Sequence, residues 1–143
     1  PDSAEVYNNL GVALKNFGNF DRSIAALREA LKLNPNYAKA YYNLGNVFKE
    51  QAESFMKPSL EAGKLDEATM CYKQALRFQP DAAEIHNALG NALQAQGKLD
   101  GAIDSYQRAL QIQPNYSHTY NNLGVAFLFF NSEIDIMWLK SFQ

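Results

Sequence analysis

One cysteine, Cys71, is all that the chain offers toward a covalent cross-link. A lone thiol forms no internal disulfide and fits a reducing compartment, which favours the cytoplasm. Charge of one sign is also scarce. The formal net charge is −2, so no basic field exists for a polyphosphate, and nucleic acid is not an expected partner. No apolar run reaches the roughly 18 residues of a membrane helix. The most apolar stretch, near the C-terminus, carries Glu133 and Asp135 in its middle. The chain opens on neither a charged-apolar-small leader nor a Met.

Catalytic chemistry is equally sparse. His86 and His118 stand far apart in the sequence, with no cysteine or carboxylate at ligand spacing, so no metal site is expected. Cys71 has no sequence neighbour that would make it a nucleophile and reads as a half-buried structural thiol. Asp104 and Arg108 lie one helical turn apart and read as a solvated pair. The glycines follow no phosphate-loop spacing. The expectation is a segment that is not itself an enzyme and needs no cofactor.

What the chain does have is a repeated phrase. "YNNLG" occurs at Tyr7–Gly11 and again at Tyr120–Gly124, with "YYNLG" at Tyr41–Gly45 and "HNALG" at His86–Gly90. The steps from Gly11 to Gly45 and from Gly90 to Gly124 are equal, and the step between Gly45 and Gly90 is longer. A second glycine follows at Gly18 and Gly97, an Ala-Leu pair at Ala30, Ala75 and Ala109, and a closing proline at Pro35, Pro80 and Pro114. Between these marks apolar residues recur at helical spacing, as in Leu10, Ala13, Leu14 and Phe17, then Phe20, Ile24, Leu27 and Leu31. Glycine suits a left-handed helix end, and proline stops the helix that precedes it. Each unit therefore reads as helix, tight turn, helix. Such a hairpin cannot bury its apolar face alone, so hairpins stack.

A period of about 34 residues with these marks resembles the tetratricopeptide repeat (TPR) family. The resemblance implies an all-α, right-handed α-solenoid of about 3.5 units. Residues 1–3 would end an upstream repeat, followed by units at 4–37, 38–82, 83–116 and a partial or divergent fourth at 117–143. Gly11, Gly45, Gly90 and Gly124 would be the small residues that let paired helices touch, the first three against Ser23, Ala68 and Ala102. A bulky side chain there would cost about 1–3 kcal/mol by overpacking.

Two segments depart from the period. Gly45 to Gly63 is a much longer step than Gly11 to Gly18 or Gly90 to Gly97, so an insertion near 52–62 is expected in the turn of the second unit, with Ala52 and Glu53 prolonging the first helix, Pro58 forbidding its continuation and helix resuming at Ser59 and Leu60. Its apolar Phe55, Met56 and Leu60 suggest either a loop folded onto its own hairpin or a partner contact. After Phe127 the fourth unit loses the pattern: Asn131 stands in for the turn glycine and Ile136 for the small alanine. Leu128, Phe129, Phe130, Ile136, Trp138 and Phe142 would cover the last hairpin as a divergent second helix, or drive self-association.

In the resembled family the first helices line a peptide-binding groove. The corresponding positions here are Glu5, Asn8, Asn9, Val12, Lys15 and Asn16; Lys39, Tyr42, Asn43, Asn46, Lys49 and Glu50; Glu84, Asn87, Ala88, Asn91, Gln94 and Ala95; and His118, Asn121, Asn122 and Val125. Asparagine dominates although it is a poor helix former. Its amide both donates and accepts, so a row of them could hold the backbone of an extended peptide. The row is similar to the asparagine ladder of protein O-linked N-acetylglucosamine transferases, with Ala88 as a break; alternatively the amides bond helix to helix. The residue set that clamps acidic chaperone tails is not matched, because only Asn43 agrees and Glu84 has the wrong sign. Three functions follow as expectations: a scaffold for protein–protein interaction, the substrate-presenting arm of a larger enzyme such as a glycosyltransferase, or a self-assembling module.

Overall fold

The computed structural model describes residues 3–54 and 58–141, without the side chains of residues 58, 135, 138 and 139. Its seven helices are α1 (Ser3–Asn16), α2 (Phe20–Leu33), α3 (Ala38–Glu53), α4 (Pro58–Phe78), α5 (Ala83–Ala95), α6 (Leu99–Ile112) and α7 (Ser117–Ser141). No strand occurs among the described residues, as the helical periodicity requires.

Local chemistry sets the hairpins. Gly18 and Gly97 both have φ of 75°, a conformation that only glycine adopts without strain. At each, two backbone bonds close the preceding helix: Gly18 N–H reaches Lys15 O at 2.8 Å and Asn19 N–H reaches Leu14 O at 2.9 Å. Gly97 to Gln94 and Lys98 to Leu93 repeat the arrangement, both at 2.9 Å. The joints between hairpins recur too. Asn34 N–H bonds Ala30 O and Gln113 N–H bonds Ala109 O, one residue before Pro35 and Pro114.

Within each hairpin a small residue receives a large one. Tyr72 and Tyr106 are fully buried against Gly45 and Gly90, and Leu27 against Gly11. Ser23, Ala68 and Ala102 are likewise fully buried, and the Ser23 hydroxyl donates to Gly11 O at 2.6 Å. These contacts continue into one apolar core running from Ile24 through Val47, Tyr72 and Leu89 to Ala126. Burying each large side chain contributes roughly 1.5–3 kcal/mol.

The helices form two layers. α1 touches α3, α3 touches α5 and α5 touches α7, whereas α2, α4 and α6 do not meet one another among the described residues. The layer whose members touch is the inside of a curve, so the first helices form the inner face.

Two sequence expectations need correction. At the insertion α3 extends to Glu53 and α4 is under way at Ser59 and Leu60, as expected, but α4 starts at Pro58 and runs through Gly63, which therefore lies inside a helix rather than at a turn. Proline is well suited to a first helical position, and a mid-helix glycine costs only about 1 kcal/mol. Leu60 is half exposed on this extension, while Phe55 and Met56 lie outside the described residues. The second correction is at Asn131. No turn forms there, and α7 runs unbroken for 25 residues instead of giving a divergent second helix.

Candidate functional site

The inner face is built from the asparagines upward, and several of them bond helix to helix. Asn8 is fully buried: its Oδ1 accepts from Asn43 Nδ2 at 2.8 Å and its own amide leans on Asn9 at 3.4 Å. It is a strut between α1 and α3, not a groove-lining residue. The pattern repeats one hairpin pair later, where Asn122 Nδ2 donates to Asn87 Oδ1 at 3.2 Å and Asn91 Oδ1 at 3.0 Å. Thr119, also fully buried, donates to the same Asn87 Oδ1 at 3.0 Å.

Core tyrosines hold the remaining amides. Tyr72 OH donates to Asn46 Oδ1 at 2.7 Å, and Tyr106 OH donates to Asn91 Oδ1 at 2.8 Å and Gln94 Oε1 at 2.9 Å. Burial pushes the Tyr106 phenol up to about 12 and the Tyr72 phenol higher still, so both stay protonated donors at neutral pH. These tyrosines were missed as site residues. A signal existed: Leu27 follows Gly11 at the same interval as Tyr106 follows Gly90, and Tyr72 follows Gly45 at that interval lengthened by the insertion.

Charges on this face are largely compensated. Lys15 Nζ lies 2.5 Å from Glu50 Oε1, and Lys49 Nζ 2.7 Å from Glu53 Oε1. Tyr42 OH donates to Glu84 Oε1 at 2.8 Å; burial first, then that carboxylate, pushes the Tyr42 phenol up to about 12. Lys49, Asn91, Gln94, Ala95 and Asn122 come together in a cleft of about 460 Å³, which Glu53, Gly97, Leu99, Phe129 and Glu133 complete. Asn9 remains exposed at the other end of the face, while Ala88 is buried.

Elsewhere, the Asp104–Arg108 pair does not form. Arg108 instead reaches Asp81 at 3.0 Å, tying α6 to the joint before α5. His86 Nε2 bonds Pro80 O at 2.8 Å. Burial, with Glu67 adding, pushes the Cys71 thiol up to about 12, which leaves it an inert thiol at neutral pH. Leu128 and Phe129 are exposed and Phe130 is half-buried against the core. Phe142 and the side chain of Trp138 lie outside the described residues. No described helix is long and apolar enough to cross a membrane.

Comparison with known proteins agrees with this geometry. The probable UDP-N-acetylglucosamine–peptide N-acetylglucosaminyltransferase SPINDLY of Oryza sativa subsp. japonica is 36% identical over 77 residues, 54% of this chain but 7% of that protein. The first TPR of Spaghetti (RPAP3), bound to the HSP90 peptide SRMEEVD, superposes with a TM-score of 0.80 at 19% identity, covering 90% of this chain and 94% of that one. A Thermobaculum terrenum O-GlcNAc transferase mutant gives a TM-score of 0.72 at 23% identity, over 87% of this chain and 22% of the other. TPR repeat sequences match at residues 17–51, 60–97 and 90–128. The chain thus belongs to the tetratricopeptide repeat family.

Proposed function

We propose that the inner face holds an extended segment of a partner protein through its asparagine amides. One observation carries this reading: four of the amides, those of Asn43, Asn87, Asn91 and Asn122, are fixed by one half and open by the other. Asn43 and Asn122 spend an NH2 on the preceding first helix, and their Oδ1 atoms have no hydrogen bond among the described residues. Asn87 and Asn91 use Oδ1 and keep Nδ2. Acceptors and donors held in place suit a backbone, which presents N–H and C=O in alternation. With few aromatic anchors, affinity is expected near micromolar, about −8 kcal/mol.

The test is binding of a fluorescent library of extended Ser/Ala-rich peptides, followed by anisotropy. Changing Asn9, Asn43, Asn91 and Asn122 to Ala is expected to weaken binding about 30-fold, at roughly 0.5 kcal/mol or more per lost bond. Equal binding by a variant with unchanged circular dichroism would refute the groove.

A second reading is favoured by the relative of which this chain matches 7%: the same groove presents substrate within a longer enzyme. A parent transcript with no catalytic domain removes that reading and leaves the groove intact.

A further inference from the structure

We infer that the α7 end of the inner face is a subsite for a basic side chain, lysine or arginine, of the bound segment; this rests on the groove reading above. The subsite exists because α7 does not turn at Asn131. Continuing as helix, it carries Phe129 and Glu133, one turn apart, into the wall of the 460 Å³ cleft opposite Lys49 and Glu53 of α3.

Charge settles the occupant. Lys49, the only cation lining this cleft among the described residues, is already 2.7 Å from Glu53, so the pair is internally neutral. Glu133 is exposed and has no cationic partner among the described residues. Glu133 also lines a second hollow with Lys98, Asp100 and Phe130; no ion pair joins Lys98 to either carboxylate among the described residues, and Lys49 and Lys98 together are outnumbered by Glu53, Asp100 and Glu133. The cleft is left with one uncompensated negative charge beside a Phe129 ring that is 55% exposed.

A lysine or arginine fits that pair of features. Its methylene stem covers apolar surface while its head stays with the carboxylate, and the head can also lie over the ring face. Bonds to an ionised partner are about twice as strong as neutral ones. An acidic side chain would meet both Glu133 and Glu53, a repulsion that supplies specificity. Asn91, Gln94 and Asn122 on the adjoining wall would receive the flanking backbone, so the side chain is read at the place where the main chain is already held.

The experiment uses the full chain and three fluorescent Ser/Ala-rich peptides that differ only at a central Arg, Gln or Glu. The Arg peptide is expected to bind about 10-fold tighter than the Gln peptide, with the Glu peptide weakest and the Arg preference shrinking as salt rises. Glu133→Gln should abolish the preference and Glu133→Lys reverse it, without moving the Gln peptide. Both variants should fold, because the Glu133 side chain is exposed. Phe129→Ala should lower the Arg peptide selectively. Binding of all three peptides with equal affinity, or an Arg preference that survives Glu133→Lys, overturns the subsite while the groove stands. Failure of all three to bind overturns the groove and the subsite together.

Discussion

A methyl group placed on Gly90 would lie 2.5 Å from the Tyr106 ring, and one on Gly45 2.6 Å from Tyr72. Neither ring can withdraw, since both are fully buried with their hydroxyls bonded. Gly124 carries the same letters, yet nothing lies within 4 Å of such a methyl, because α7 continues unbroken to Ser141 and no helix packs back on it there among the described residues. Gly90→Ala is therefore expected to destabilise by about 1–3 kcal/mol, whereas Gly124→Ala should stabilise by up to about 1 kcal/mol through helix propensity. Urea midpoints of the two variants check this; equal shifts would contradict it. Spacing places Gly18 and Gly97 at turns, and the family resemblance implies the packing role of Gly11, Gly45 and Gly90, but the same marks mislead at Gly63 and Gly124. The fate of Asn8 could not be read from spacing, because one step along a helix separates a buried amide from an exposed one, and Asn8 and Asn9 are adjacent in the sequence.

Among the elements, α1, α2, α5 and α6 follow the sequence marks closely, because each hairpin end has a glycine whose left-handed geometry has no competitor. α4 and α7 do not. At Gly63 a negative φ serves a helix as well as a turn, and Pro58 upstream gives the helix its start. Asn131 tolerates a left-handed bend but does not impose one, so helix propagation wins. Because Gly63 has nothing within 4 Å of its missing side chain, Gly63→Ala should raise stability by about 0.5–1 kcal/mol. A loss of stability measured by urea unfolding would mean that this stretch of α4 is not helical.

At the scale of the whole molecule, stability is a sum over neighbouring hairpins, and the tyrosines sit where those sums are made. Tyr42, Tyr106 and Cys71 are each pushed up to about 12, and Tyr72 is raised further, chiefly by burial. A raised folded value means the fold favours the protonated form, so this stabilisation is complete below the ordinary values of 9.0 and 10.0 and fades as pH climbs to about 12. Urea midpoints are expected to fall steeply between pH 10 and pH 12; midpoints unchanged across that range would contradict the assignment. The phenols of Tyr72 and Tyr106 have a second effect. Each spans the wall, its ring wedged between helices and its oxygen steadying an amide on the inner side, as a bolt shows its head on one face of a plate. The interior and the proposed groove are consequently one mechanical part, and a change hidden in the packing is expected to alter binding of the segment proposed to lie there.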